Sequence, residues 1–571
     1  MSCFSSPRER ISIREVDRSV VERLKNELNV PAGIATILTA RKLSTFEECK
    51  AFFRPESSQF HDPFLFRDME CAVKRIQSAL RQKEKIAIYG DYDVDGVTST
   101  ALMVRFLRLL GADCTYVLPN RLVDGYGITE SGIRQIATGG ITLLISVDCG
   151  ITAVNEVALA NCLGIDVIVT DHHEPKEMLP EALALIDPKV HNCLYPDKNL
   201  AGVGVALKLC QAITRYMNVD NELWMQFLDF VALGTAADIV PLIGENRVIA
   251  RLGFDRLKNT SHPGLKALIE QQGLSGKKIS TSEVVFQLAP CINAVGRLGD
   301  PCRGVDLLLT NDPAEADVNA RLLREANLER RALDSSVAEE AYNWVTNNCK
   351  PDEDFALVLG KEHWHVGVIG IVASKLVEKF NRPAILFSIG ADGLARGSGR
   401  SIPGLHLLNA LNACSDVLEG FGGHAAAAGM TIRSENIPVF RKKFNEIVST
   451  MIAPDDLVPV VVADTEVTMN EISPKFFRII NEMAPFGPGN MRPVLFCRNL
   501  KHRYPPRLVG QNHLKLSVTG QGVVMDAIGF NLGDRHNEIL NAASLGLAFT
   551  LDENEWNGKC SLQMKVKGIS L

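Results

Sequence analysis

The sequence runs to 571 residues with 61 Lys and Arg against 67 Asp and Glu, a formal net charge of −6, and is 46% hydrophobic and 22% charged. That length exceeds one core and calls for roughly three or four packed units, while the acidic balance excludes a uniformly basic coat for DNA but leaves room for a local basic channel. The N-terminus has no apolar stretch behind its basic residues and no run of about 18 uncharged apolar residues occurs, so a cytoplasmic chain with no membrane partner is expected; a monomer is also expected. The 14 cysteines form no CxxC pair, which predicts small buried thiols in a reducing compartment rather than disulfides or structural zinc.

Residues 1–80 read as an N-terminal helical appendage, with Val21, Leu24 and Leu28 at helical spacing and a stop at Pro31 and Gly33. From Lys85 the pattern changes to apolar runs that each end in a polar cluster: IAIYGDYD, ITLLISVDCG and IDVIVTDHH. Helical stretches such as 97–110 and 152–163 lie between them, so a doubly wound parallel α/β sheet is predicted over 81–312. Residues 313–348 lack Gly and have Pro only at their start, which predicts a long helix within a connecting segment at 313–350. A second, smaller α/β domain is expected at 351–457, opening with FALVLG and a helix after Gly367. At 458–571 the short β-rich segments are spaced as in a small OB-like barrel.

The three polar clusters carry the chemistry. Asp91, Asp93 and Asp95 follow the first strand at spacing two, Asp148 closes the second, and Asp171, His172 and His173 close the third. Three carboxylates turned the same way repel unless a cation is present, and oxygen clusters of this kind suit Mg²⁺ or Mn²⁺. An acidic turn and a calcium loop are the alternatives for the first cluster, and a helix cap is the alternative for a lone Asp after a strand. Coincidence at three successive strand ends favours one mixed oxygen and nitrogen site, because doubly wound sheets bind ligands at those ends.

GDYDVDG, VDCG and DHH together resemble the DHH phosphoesterase superfamily. Seven further segments resemble its RecJ-type members: 118–127, 200–209, 233–242, 292–298, 395–404, 421–430 and 484–490. The resemblance implies two divalent ions, Mn²⁺ or Mg²⁺, held by Asp93, Asp95, Asp148, His172 and Asp238, with Asp148 bridging. Asp91 is the weaker ligand, since superfamily members often carry a His where Tyr89 stands here. His173 is implied to face the phosphate. By the same resemblance Arg121 and Arg297 contact the DNA backbone, Asn293 is a substrate-binding residue, and Ser398, Arg400, Gly422 and His424 form a pocket for a 5′ phosphate in a DHH-associated domain.

Taken alone, each arginine also reads as an ordinary surface residue, and His424 as a core histidine. Gly202 and Gly204 suggest a dinucleotide loop, but the third Gly is missing and no strand directly precedes them, so that reading is rejected. From Arg492 to Lys515 six basic residues and no acidic ones interleave with Phe496 and Tyr504, a track that suits single-strand binding as well as a solvated face. The resemblance implies a 5′ to 3′ exonuclease on single-stranded DNA that releases mononucleotides in recombination and repair. Single-strand-binding protein and a recombination helicase are its expected partners. The alternative is a DHH phosphodiesterase of short oligonucleotides or cyclic dinucleotides.

Overall fold

The computed structural model describes residues 8–120, 125, 127–351, 353–556 and 559–571. The chain forms two compact units: one comprises the stretch ending at Phe46 together with Glu329–Asn481 and Pro493–Leu571, the other Glu47–Leu328 and Glu482–Arg492. The predicted long helix spans Pro313–Asn348, and the division falls inside it. Its first half buries Ala316, Ala320 and Leu323 in one core, and its second half buries Val337, Ala341 and Val345 in another.

In the first-named unit, β1 (Arg10–Ile13) opens the described chain. The N-terminal span 1–80, read as short helices, thus also carries this strand. β1 pairs in parallel with a strand some 450 residues away, and the helices that follow it divide between the two units at Phe46. Four residues with one apolar alternation are too short a pattern to be read as a strand before the partner is known.

The other unit holds a five-stranded sheet of β2 (Lys85–Tyr89), β3 (Asp113–Val117), β4 (Leu143–Val147), β5 (Asp166–Thr170) and β6 (Ala184–Ile186), in the order β3-β2-β4-β5-β6. All its pairings are parallel. Alternation along the strands feeds two cores: Ile86, Ile88, Ile145 and Ile168 face one, and Ala87, Tyr89, Leu144 and Val167 face the other. Both faces are covered, which is why the strands read as nearly continuous apolar runs. The strand order reverses at β2, so the crevice between the carboxyl ends of β2 and β4 is where such a sheet binds its ligand.

The first-named unit carries a mixed sheet of β7 (Leu357–Lys361), β8 (Ala384–Ile389), β9 (Leu394–Arg400), β10 (Gly420–Gly423) and β11 (Ala427–Arg433), in the order β10-β11-β9-β8-β7. Then come β12 (Val460–Ala463), the partner of β1, and β13 (Thr465–Glu466). The barrel is built from β14 (Leu495–Val509), β15 (His513–Gly520), β16 (Val523–Gly529), β17 (Leu545–Trp556) and β18 (Lys559–Ser570). The pairing of β14 with β17 closes these five strands on themselves and removes the exposed edges. No disulfide forms among the described cysteines, although Cys71, Cys162 and Cys560 are exposed rather than buried. No helix among the described residues is long and apolar enough to cross a membrane.

Candidate active site

The loop after β2 is folded tightly back on itself. A side chain at Gly96 would stand 2.4 Å from the Asp91 carbonyl oxygen, so only Gly fits there. Asp93 caps the helix Val94–Leu109 by accepting from Gly96 N at 3.0 Å, and Asp95 lies in that helix's first turn. Both Asp95 oxygens also accept from the N-terminus of the helix Gly202–Tyr216, from Gly202 N at 2.7 Å and Val203 N at 2.9 Å. Each carboxylate oxygen keeps a further lone pair after these bonds.

Asp148, one residue past β4, adopts φ +59, the left-handed region that Asp tolerates better than most residues, and its N–H donates to Thr170 O at 3.0 Å. His172, beyond β5, brings the acids together. Its Nε2 lies 3.2 Å from Asp148 Oδ1, 3.7 Å from Asp238 Oδ2 and 3.9 Å from Asp95 Oδ2. Asp238 follows the helix Leu228–Ala237, and the absence of a side chain at Gly234 lets that helix approach Asp95 and Thr98. Asp95, His172 and Asp238 form one group with ligand atoms within 4.8 Å of one another, and Asp148, His172 and His173 form a second. Asp91 and Asp93 stand outside both groups.

The electrostatics are those of an acid cluster taken out of water. Burial, with the Asp93 charge added, pushes Asp91 up to about 8 and Asp238 up to about 7. Burial and the neighbouring carboxylates hold Asp95 and Asp148 well above the ordinary range. Burial, then the charge of His173, lowers His172 to about 4, so its imidazole is neutral and its nitrogen is available as a ligand. Both Asp91 oxygens, His172 Nε2 and Asp238 Oδ2 are buried without a hydrogen-bond partner among the described residues. Unpaired acceptors beside raised carboxylates are costly to a fold, and divalent cations bound by oxygen and imidazole offset that cost. The residues present therefore fit a Mn²⁺ or Mg²⁺ centre.

The sequence reading left three parts of this site without a role. Asp171 accepts His173 Nδ1–H at 2.7 Å, the N–H groups of His172 and His173 at 2.7 and 3.2 Å, and Ile151 N at 2.9 Å. Burial, the largest single influence, would raise Asp171, but the His173 bond and charge, the Ile151 N–H and the His172 charge together outweigh it and hold the carboxyl below its usual value. The same pair outweighs burial at His173 and raises it to about 9. Gly202, rejected as a nucleotide motif and placed only within a family-like segment, serves the acids, since a side chain there would stand 2.4 Å from Asp148 Oδ1. Asp187 closes β6 as the other acids close β2, β4 and β5, and burial pushes it up to about 8. The same signal, an acid ending an apolar run, marks it in ALALID. Tyr89 is buried in the second of the sheet's two cores, and its hydroxyl pairs with Thr129.

Among the expected substrate residues, Asn293 and Arg297 lie part-buried on the helix Ala289–Leu298, and Gly296 between them comes within van der Waals reach of Tyr92 in the acidic loop. Arg121 falls outside the described residues. In the mixed sheet, Ser398 and Arg400 share one face of β9, with Arg400 Nη1 donating to Ser398 Oγ at 3.1 Å and to Gly399 O at 2.8 Å. Ser398 is paired with Gly429, which is paired with Gly422, so two strands beside the serine carry no side chain in that row. His424 is exposed on the adjoining turn, which removes the core-histidine alternative. In the barrel Phe496 is buried and cannot be a stacking surface, whereas Tyr504 is 55% exposed and Phe530, which the sequence did not single out, 52%.

Comparison with known proteins agrees with this geometry. Residues 85–235 match the DHH family, N-terminal domain, residues 353–450 the DHHA1 domain and residues 463–568 the RecJ OB domain. The chain is 39% identical to the single-stranded-DNA-specific exonuclease RecJ of Bacillus subtilis over 98% of its own length and 71% of that protein's. To the RecJ of Escherichia coli it is 37% identical over 88% and 90%. The crystal structure of RecJ in complex with Mn²⁺ from Thermus thermophilus superposes with a TM-score of 0.84 at 28% identity, covering 99% of this chain and 79% of that one. Fold, acidic centre and all three domain matches lead to one statement: the chain belongs to the RecJ family.

Proposed function

We propose that this chain is a single-stranded-DNA-specific exonuclease that removes mononucleotides from a 5′ end with the aid of two divalent ions. The observation that carries the reading is the pair of carboxylate and imidazole groups sharing His172 at the carboxyl edge of the sheet. It is supported by the kinship to proteins named for that activity. Asp93, Asp95, Asp148, His172 and Asp238 would hold the ions, Mn²⁺ or Mg²⁺, with Asp91 as the weaker ligand. Bound in such a site, divalent ions make hydroxide available near neutral pH and neutralise charge on the phosphodiester.

The protein's own groups do the rest. His173, kept protonated by Asp171, offers its Nε2–H to a phosphate oxygen and stabilises the added charge of the transition state. Asn293, Arg297 and Arg121 take the backbone phosphates. Arg400 and Ser398 donate to the terminal phosphate, the glycine row at Gly422 and Gly429 leaves it room, and His424 supplies a further donor. Contacts of this kind carry no base information, so the enzyme is sequence-tolerant. The barrel that matches an OB domain serves a polymer better than a short oligonucleotide or cyclic dinucleotide. In this reading the chain works as a cytoplasmic monomer in recombination and repair, beside a single-strand-binding protein and a recombination helicase.

The test is incubation of end-labelled 5′-phosphorylated single-stranded DNA with Mn²⁺, Mg²⁺ or EDTA. Mononucleotides released from the 5′ end with either ion, and none with EDTA, are expected. Internal cuts, or digestion that proceeds in EDTA, would overturn the reading.

A further inference from the structure

The backbone that follows Asp238 is strained. Ile239 adopts φ +63, a conformation unfavourable for a β-branched residue, and its side chain is 60% exposed, so no burial of its own secures it. Such a residue persists only where its surroundings over-determine it. Here the surroundings come from the loop around 483–490, far along the chain but part of the same compact unit.

Leu242 N donates to Pro488 O at 2.7 Å. Gly487 and Gly489 press on the same stretch: a side chain at Gly487 would stand 2.6 Å from Leu242 Cδ1, and one at Gly489 3.2 Å from Ile243 Cγ2. Arg247 donates to the carbonyls of Ala484 and Pro485 at 3.1 and 3.3 Å. Asn490, 1% exposed, shapes the loop itself, its Nδ2 donating to the carbonyls of Met483 and Pro485 at 2.8 Å each. On the other side Asn246 Nδ2 donates to Pro241 O at 3.1 Å and to Asn199 O at 2.5 Å. The turn after Asp238 is thus gripped from two directions.

We propose that this loop is a positioning element for the Asp238 carboxylate, and that Asn490 is the residue that keeps its shape. By holding the strained turn, it sets where Asp238 stands against Asp95 and His172. The inference rests on the reading of Asp238 as a metal ligand.

The experiment titrates full-length, EDTA-treated protein with Mn²⁺ in the absence of DNA, following free Mn²⁺ by electron paramagnetic resonance. Asn490→Ala is expected to weaken one of two Mn²⁺ ions by about 10- to 100-fold, the scale on which groups that orient a ligand act, and Gly487→Ala to act in the same direction. Adding Ile239→Gly to Asn490→Ala removes the strain and should recover most of that affinity, which a loop that merely stabilised the fold would not do. Asp238→Asn should lose the same ion. If Asn490→Ala does not fold, Gly487→Ala decides alone, with the Ile239→Gly rescue made in that background. Folded loop variants that titrate like the parent, or a loss that Ile239→Gly leaves unchanged, overturn the proposal. An Asp238→Asn protein that binds two ions like the parent overturns instead the ligand reading beneath it, and the two failures are told apart by which variant keeps its ions.

Discussion

At the scale of single residues the acid cluster sets an opposition between stability and function. Asp91, Asp95, Asp148 and Asp238 all titrate above the ordinary 3.8 in the folded chain, Asp238 to about 7 and Asp91 to about 8. A raised carboxyl holds its proton longer when folded, so its contribution to stability is full below about 4 and is lost as pH rises through about 7 to 8. Metal-free protein should therefore melt at a lower temperature at pH 8 than at pH 5. Mn²⁺ should raise the melting temperature more at pH 8, which calorimetry in EDTA and in Mn²⁺ would check. Asp148→Ala should cut hydrolysis by more than ~100-fold while the metal-free fold holds, because it removes the carboxylate closest to His172 and one source of repulsion. Circular dichroism and a nuclease assay on the same preparation would measure both. Arg400→Ala and His424→Ala should reduce the preference for a 5′ phosphate over a 5′ hydroxyl, by roughly tenfold for the arginine, since a charge-assisted bond contributes about 1.5–3 kcal/mol. Matched substrates with each end give the ratio, and equal losses on both would place these residues elsewhere.

At the scale of elements, helix ends built without side chains do much of the work. Gly202 opens its helix against two carboxylates, donating to Asp95 while its bare Cα passes beside Asp148. Gly202→Ala should lower activity by about 10- to 100-fold with little loss of helix content, because the new methyl must move either Asp148 or the N-terminus that binds Asp95. A Mn²⁺ titration would separate displaced ligands from misfolding. How much of this was legible depended on range. The strand ends bearing Asp95, Asp148 and His172 could be read locally, because an apolar run that stops at an acid needs no knowledge of its neighbours. Asp238 ends a helix and gives no such signal, so only family resemblance pointed to it. Gly202 acts through partners about 50 and 100 residues away, Asp148 and Asp95. APFGPGN was visible as a motif, but its attachment beside Asp238 is a tertiary fact that no local pattern encodes.

On the scale of the whole molecule, order along the chain is a poor guide to which pieces stand together. β1 needs β12, Glu9 binds Arg535 and the Ile569 N–H, and residues 482–492 belong with the metal-binding unit although barrel and mixed-sheet segments flank them in sequence. Cutting the chain near 458 to remove the barrel would therefore also strip β1 of its partner and the Asp238 turn of its loop, and a loss of activity would say nothing about DNA binding. Substitution inside the barrel avoids this. Arg503, Arg507 and Lys515 are exposed, and Arg507 lies directly opposite Lys515 across β14 and β15, an unfavourable placement for like charges unless a polyanion passes over them. Arg498 is a poorer choice, being tied to Glu466 at 2.8 Å. If these three cations each neutralise one phosphate, replacing all of them with Gln should reduce the slope of log affinity against log salt by roughly 2, at about 0.7 per phosphate on a single strand. Cleavage of DNA already bound should proceed at the parental rate, since the acid cluster and its supports are unchanged. Fluorescence anisotropy across a salt series, paired with single-turnover cleavage at saturating enzyme, measures the two effects separately. An unchanged slope would remove the barrel's basic face from the DNA path, and a slower single-turnover rate would show that the barrel acts on chemistry as well as on binding.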